Sequence, residues 1–382
     1  MHKKVVILGG GSGGVVAANR LLKRGREELE VIIIDKNTHY EFKPSYLWVT
    51  MGCREPNEIR VPLNRLEKKG VKFLNDRVVK IDAANRSIYT DSSNLKYDYL
   101  IVALGSEIHM DDKILWDVVA PWRLDLALRL RDKLKFFKGG NVVIGPYSLP
   151  YQCPPAPFEL AFMIKYLAEE RGFDANVTVF HPWSKPMEPF GPMMQDLFTQ
   201  MLKKYKINWI SNFNISSIDP ISKRIISTKG DSLEYELGIV IPPHSSPKCI
   251  SDSDLSNPQN GYMDVDIKLR SKKYDEVYGI GDVVAPNLGI GMAGVFAHFQ
   301  AEYVATRILD DAKGVFMGEH YNMTGSCVMD LGYMGAAVFC DFTESILKKA
   351  QYPKCWILGG MPLFRYIKVA FERMFLSQIF GG

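Results

Sequence analysis

The first thirty-five residues constrain this chain more than any other stretch. Lys4 to Leu8 reads as a short apolar strand that runs into Gly9, Gly11 and Gly14, a Gly-x-Gly-x-x-Gly pattern. Val15 to Lys23 follow with helical spacing, Val31 to Ile34 read as a second strand, and Asp35 closes it. Each part has a mechanical reason. Gly9 permits a tight turn, Gly11 lets backbone approach a pyrophosphate, and Gly14 lets the helix pack on the strand. The helix N-terminus offers unpaired N–H groups and partial positive charge to phosphates. Asp35, 21 residues beyond Gly14, stands where a carboxylate bonds ribose hydroxyls. A dinucleotide site in an α/β unit is the expectation.

A chain of 382 residues exceeds what one core usually supports, so two domains and a tail are expected. The formal net charge of +4 and the absence of a Lys/Arg block exclude a nucleic-acid binder. His2, Lys3 and Lys4 lead straight into the first strand, which is not the pattern of a secretory signal. Val283 to Ala301 is uncharged, apart from His298, and long enough to cross a bilayer. Pro286, Gly289, Gly291 and Gly294 suit an internal glycine-rich turn and helix better. The six cysteines, at 53, 153, 249, 327, 340 and 355, form no CxxC pair and fit no metal site. Thiols in such a chain are expected to be reduced, and any disulfide to be catalytic rather than structural.

The middle of the chain departs from a second dinucleotide unit. Asn141 to Ile144 is a strand, but Pro146, Pro150, Pro154, Pro155 and Pro157 follow it. They remove backbone donors where a pyrophosphate would need them. A helix is expected from Leu160 to about Glu170. The next strand, Val177 to Phe180, ends in His181-Pro182 instead of an acid. An NADH-domain shape without an NADH site leaves Cys153 as the entry point for electrons.

Two further segments resemble those of two-dinucleotide flavoproteins: Tyr97 to Ser106, ending in a small-residue turn, and Val277 to Asp282 (VYGIGD). The second resembles an FAD fingerprint whose aspartate reaches the flavin's ribityl chain or pyrophosphate. The loop Pro150 to Glu159 (PYQCPPAPFE) resembles the active-site cysteine loop of sulfide:quinone reductases, and more closely that of the flavoprotein subunit of flavocytochrome c sulfide dehydrogenase. Tyr321 to Phe342 resembles the second cysteine region of the same group. The resemblance implies a pair of Rossmann-like, glutathione-reductase-type α/β domains. Residues 1–110 and 255–320 would form the FAD domain, 111–254 a degenerate NADH-type domain, and 321–382 a redox-cysteine and membrane segment.

It also implies the chemistry. Hydrosulfide attacks a Cys153–Cys327 disulfide, or a sulfur-bridged form of it, and two electrons pass to FAD and on to quinone. Glu159 matches the family's glutamate and could shuttle protons; its plainer role is a helix-start carboxylate. Lys36, Pro44, Val78, Ala103, Gly105, Gly281, Asp282 and Gly289 complete the candidate cofactor set. Cys53, Cys249, Cys340 and Cys355 read as packing or surface thiols. Asp117 to Asp125 holds Trp122 and no third cysteine, so a three-cysteine polysulfide cycle is not expected. Ser45 stands near the site where flavocytochrome subunits attach FAD, so FAD is expected to be non-covalent. Asn287 occupies the neighbourhood where the family often places a lysine beside the flavin.

The tail from Lys354 onward places Leu363, Ile367, Ala370, Phe371, Met374 and Phe375 on one helical face, with Arg365, Lys368 and Glu372 on another. No uncharged run there can span a bilayer, so a peripheral (monotopic) membrane segment is expected, with Lys348, Lys349, Lys354, Arg365, Lys368 and Arg373 meeting anionic headgroups. The alternative is a helix docked on its own domain or a partner subunit. Pro44, Tyr333, Phe339, Phe342, Phe364 and Tyr366 are candidate quinone contacts. The expected partners are hydrogen sulfide, quinone and a membrane surface, with a homo-oligomer left open. The competing readings are a type II NADH:quinone dehydrogenase, a flavocytochrome c subunit and a non-catalytic FAD scaffold.

Overall fold

The computed structural model describes residues 2–315 and 322–381. Tyr321, and the boundary expected between residues 320 and 321, lie outside the described residues. The N-terminal strand Lys3–Leu8, the helix Ser12–Gly25 and the strand Leu29–Asp35 form the unit expected of the first thirty-five residues. They build a five-stranded parallel sheet in the order Val277–Gly279, Tyr99–Val102, Lys3–Leu8, Leu29–Asp35, Lys72–Asn75. Strands covered on both faces read as continuous apolar runs, and Val5, Val6, Ile7 and Leu8 are all fully buried. The two distant segments thus join the glycine-rich strand edge to edge: Val102 pairs with Leu8 and with Gly279.

A second parallel sheet runs Asn208–Ile210, Ala175–Phe180, Gly140–Pro146, Leu237–Ile241. The helix that follows its central strand spans Ala156–Arg171 and so starts four residues earlier than expected, inside the proline run. Pro155 caps it and Pro157 lies in its first turn, where a missing N–H breaks no intrahelical bond. Val283 to Ala301 divides into the short helix Ala285–Leu288 and the start of the helix Gly294–Lys313. No helix among the described residues is long and apolar enough to cross a membrane.

The last part is an antiparallel sheet, Thr324–Asp330, Gly335–Asp341 and Lys354–Met361, followed by the helix Arg365–Phe380. This helix buries charged and apolar side chains together. Lys368 and Glu372 are 2% and 3% exposed, while Leu363, just before it, Tyr366 and Met374 are 70%, 69% and 53% exposed. The expected apolar stripe therefore splits. Phe375 turns inward with Ile379 and Phe380, packing against Tyr40 and Phe42, while Leu363, Ile367 and Met374 face out. Each fully buried aromatic of this kind stabilises docking by roughly 1.5–3 kcal/mol. Lys69 Nζ donates to the carbonyls of Gln378 and Ile379 and so caps the helix C-terminus from outside.

Cys340 and Cys355, expected as thiols, form a disulfide between adjacent strands. They are direct cross-strand partners, which brings the sulfurs together without any rearrangement of the chain. The expectation failed because register, which decides this pairing, is not written in cysteine spacing.

Candidate active site

Gly9 adopts φ +102°, and a Cβ there would lie 2.3 Å from the Ala103 carbonyl oxygen. A Cβ on Gly14 would lie 1.8 Å from the Gly9 carbonyl oxygen. Both glycines are required by contact with protein. Gly11 is different: nothing lies within 4 Å of where its Cβ would stand, and no side chain caps the helix that begins at Ser12. The first-turn N–H groups therefore open onto a free approach, the cradle a pyrophosphate needs. Asp35 is fixed beside it, one carboxylate oxygen accepting from the Gly10 N–H at 2.6 Å and the other from the Asn37 N–H at 2.7 Å. Lys36 reaches Glu107 at 3.4 Å. Gly105 and Gly281 adopt φ +70° and +78°, and Gly289 ends the short helix Ala285–Leu288 at φ +68°. Val78 begins a separate antiparallel strand, Val78–Asp82. The residues present fit FAD, with the open cradle at Gly11, the Asp35 carboxylate at the end of its strand and Asp282 in the turn after the strand Val277–Gly279.

The cysteine loop is tied to this sheet through Gln152. Its side-chain amide donates to Asp282 at 2.9 Å and to Ser106 Oγ at 3.1 Å, and its carbonyl accepts from the Trp122 indole at 2.8 Å. Asp282, pushed up by burial, is pulled back by the charge of Lys43 and by this hydrogen bond. Cys153 itself adopts φ +59°, a left-handed conformation that costs a non-glycine residue of order 1–2 kcal/mol. Its N–H donates to the Met292 carbonyl at 2.6 Å, and Tyr151 Oη donates to the Pro154 carbonyl at 2.9 Å. Behind Tyr151 stands His181, fully buried. Its Nδ1 accepts from the Trp183 N–H, so Nε2 carries the proton and faces the Tyr151 hydroxyl at 3.0 Å. Burial lowers this imidazole to about 3, which keeps it neutral.

Cys153 and Cys327 meet, although 174 residues separate them. Both are free thiols, half-buried, and a hydrogen bond between them is the largest influence pushing the Cys327 thiol up, followed by burial. Glu159 lies beside them, 2% exposed, ion-paired with Lys368 and accepting from the Asp330 N–H at 2.8 Å. Burial raises the Glu159 carboxyl and the charge of Lys368 draws it back. Burial alone would lower the Lys368 ammonium, but the charge and hydrogen bond of Glu159 more than offset this and hold it up.

Lys368 is therefore not a headgroup contact, and neither is Arg365, whose Nε donates to Asp330 Oδ1 at 2.8 Å. The Trp48 indole donates to the other Asp330 oxygen, while Glu372 accepts from Ser45 Oγ and from Arg54 Nε at 2.9 Å. The sequence reading missed Lys368, Asp330, Gln152 and Tyr151 as members of this site. The one available signal was Lys368 and Glu372 spaced i,i+4 within an apolar helix, with Lys368 read as a headgroup contact. Asn287 is also accounted for: its amide donates to the Tyr262 and Met263 carbonyls, a loop-holding role.

The candidate quinone residues do not share one place. Tyr333 sits in the turn between the first two strands of the C-terminal sheet, stacked on Tyr205. Phe342 follows the far end of the strand Gly335–Asp341, about 20 Å away at ~3.3 Å per residue, and is buried against Phe190 and Phe296. The two cannot contact one quinone ring. Phe364 lies at the start of the C-terminal helix and Pro44 in the turn before Ser45. Phe339 is 43% exposed on the outer face of the sheet.

A glycine cradle on a parallel sheet, joined to a thiol pair made by the loop of a second α/β unit and a strand of the C-terminal sheet, is the arrangement of flavin-dependent disulfide oxidoreductases. The family model described as pyridine nucleotide-disulphide oxidoreductase matches residues 3–112, and that of the central part of the flavocytochrome c sulfide dehydrogenase flavoprotein chain matches residues 127–242. The sulfide-quinone reductase of Aquifex aeolicus is 25% identical over 412 aligned residues, covering 100% of this chain and 92% of that protein. The mitochondrial sulfide:quinone oxidoreductase of Dictyostelium discoideum is 24% identical, covering 91% and 78%. The solved structure of the Aquifex aeolicus enzyme superposes with a TM-score of 0.83 at 23% identity, covering 99% of this chain and 91% of that one. Within the class, the chain is similar over its whole length to the sulfide-quinone reductase of Aquifex aeolicus.

Proposed function

We propose that this chain oxidises hydrogen sulfide at Cys153 and Cys327 and passes the electrons, by way of FAD, to a membrane quinone. The observation that carries the reading is the meeting of these two thiols beside the buried Glu159–Lys368 pair. FAD, held by Gly9, Gly11, Gly14, Asp35, Ala103, Gly105, Gly281 and Asp282, supplies a two-electron acceptor when bound. The left-handed turn at Cys153 and the bonds of Gln152 fix its sulfur relative to the cofactor strands. The hydrogen bond to Cys153 and burial push the Cys327 thiol up, so Cys327 holds its proton. Glu159, with a raised carboxyl, is suited to take and return that proton. Lys368 holds Glu159 in place.

Proline occupies the cap and first turn of the helix after the second central strand, so that unit offers no phosphate cradle like the one at Gly11. NADH is accordingly not the donor in this reading. In this reading residues 1–110 with 255–320, 111–254 and 321–382 are separate units, a division supported by the two parallel sheets and the C-terminal antiparallel sheet. Attachment to a membrane rests on the outward apolar face: Trp356, Leu358, Met361, Leu363, Tyr366 and Met374 are each more than half exposed. A lipid surface would cover that area and deliver quinone to the same end of the molecule, with Phe339 and Phe364 as contacts.

The test is anaerobic flavin bleaching. Sulfide should bleach the purified holoprotein, and Cys153→Ser and Cys327→Ser should abolish the response. NADH should leave the absorbance unchanged. Bleaching by NADH, or undiminished bleaching by sulfide in either variant, would overturn the proposal.

A further inference from the structure

The disulfide Cys340–Cys355 lies on the same face of the C-terminal sheet as Cys327. The register pairs Cys327 with Val338, Gly325 with Cys340, Cys340 with Cys355 and Val338 with Ile357. Side chains two apart on a strand share a face, and so do direct cross-strand partners. Cys327, Val338, Cys340 and Cys355 therefore point the same way. Burial agrees: Val338 and Cys340 are 5% exposed, whereas Phe339 and Trp356, which point the other way, are 43% and 57% exposed. Cys340 is the diagonal neighbour of Cys327, at about 7 Å for such pairs. Opposite Cys340 stands Gly325, which has no side chain of its own and against which the Phe296 ring packs. Cys355, on the outermost strand, is half-buried and lies farther from the cofactor sheet.

A diagonal of about 7 Å is too long for a direct disulfide, whose Cβ atoms stand roughly 3.5–4.5 Å apart. One bridging sulfur atom fills the difference. We propose that Cys340–Cys355 is a second sulfur site, which takes sulfane sulfur from Cys327 and holds it as a trisulfide near the protein surface. This rests on the reading that sulfide is oxidised at Cys153 and Cys327, which leaves a persulfide on Cys327. The terminal sulfur of that persulfide, as its anion, attacks Cys340 Sγ. A sulfur–sulfur bond forms to Cys340, the Cys340–Cys355 bond breaks, and Cys355 leaves as thiolate. Cys355 then attacks the bridging sulfur, and Cys327 leaves as thiolate and takes up the proton that the persulfide gave up. The sum is Cys327–SSH plus a disulfide going to Cys327–SH plus a trisulfide, with no other oxidant or reductant. The inner pair is thereby freed for another turnover.

The experiment is non-reducing digestion and mass spectrometry of the holoenzyme after turnover with sulfide and a soluble quinone. The peptide pair joined by Cys340 and Cys355 should gain the mass of one sulfur atom in the wild type, and Cys327→Ser should show no gain. Flavin bleaching in the same sample reports on sulfide oxidation separately. If bleaching fails, inorganic polysulfide added to the resting protein still loads Cys327, and the same mass gain is then expected. An unchanged peptide mass in protein that bleaches or has been loaded with polysulfide refutes the relay. So does an equal gain in Cys327→Ser. As a second measurement, Cys355→Ser should keep its bleaching rate while longer sulfur chains collect on Cys153 and Cys327. Chains of wild-type length there would count equally against the proposal.

Discussion

Replacing Lys368 by methionine removes the only cation among the described residues that touches Glu159, while keeping the length of an apolar side chain. Both members of the pair are 3% exposed at the side chain, so solvent cannot compensate the carboxylate left behind. Breaking a buried pair from one side costs about 3–5 kcal/mol. A chain of this size unfolds with an entropy of roughly 0.8 kcal/mol/K near its midpoint, so the melting temperature should fall by about 4–6 °C. The loss depends on pH, and its sign follows from Glu159. Burial raises that carboxyl and Lys368 opposes the rise, so in Lys368→Met it moves further up. A carboxyl raised by folding binds its proton more tightly folded than unfolded. Its favourable contribution is present below the ordinary carboxylate range and is lost as pH rises through the raised value. The deficit of the variant should therefore be small near about pH 5 and widen toward about pH 8. Thermal unfolding followed by flavin fluorescence at a series of pH values measures it. Equal melting of variant and wild type throughout would refute the argument. A Lys368→Met/Glu159→Gln protein melting no higher than the single variant would do the same, because the double variant removes the stranded charge.

Three other outcomes follow from the geometry. Gly14→Ala should fail to yield folded holoprotein, since its Cβ would collide with the Gly9 carbonyl oxygen, whereas Gly11→Ala should fold and release FAD more readily; equal FAD retention in dialysed Gly11→Ala and wild type would contradict the open cradle. Tyr151→Phe removes the donor to the Pro154 carbonyl and should destabilise the cysteine loop by about 1 kcal/mol, seen as a several-fold slower sulfide-driven bleaching with quinone reoxidation unchanged. Serine at Leu363, Tyr366 and Met374 should abolish flotation with anionic liposomes without lowering the melting temperature, because these side chains make little contact with the protein; unaltered flotation would exclude this face as the lipid contact.

The dinucleotide half of the fold was legible because its requirements are local. A glycine that must adopt φ +102° and another that must admit a carbonyl leave their mark at fixed spacing. The proline run marked the cysteine loop for the same reason. Lys368 and Arg365 were misplaced as headgroup contacts because amphipathicity gives two faces and not what each one meets. Here the polar face is the one that brings Lys368 to Glu159. The Cys340–Cys355 bond was hidden for a different reason, since it follows from the pairing of two strands whose alignment the turn between them sets. Quinone candidates chosen for aromaticity alone scattered, as Tyr333 and Phe342 show, because an aromatic side chain serves a core as readily as a pocket.

The left-handed backbone at Cys153 sets reactivity against robustness. Glycine and asparagine tolerate that conformation better than cysteine, so the residue the reaction needs is a poor choice for the turn that carries it. Cys153→Gly should be inactive and yet more heat-resistant than the parent, while Cys153→Ser keeps the cost and loses the sulfur. Selection for thermal endurance alone, applied to a library of this chain, would discard the nucleophile among its first gains. Only a screen that also demands turnover would retain it.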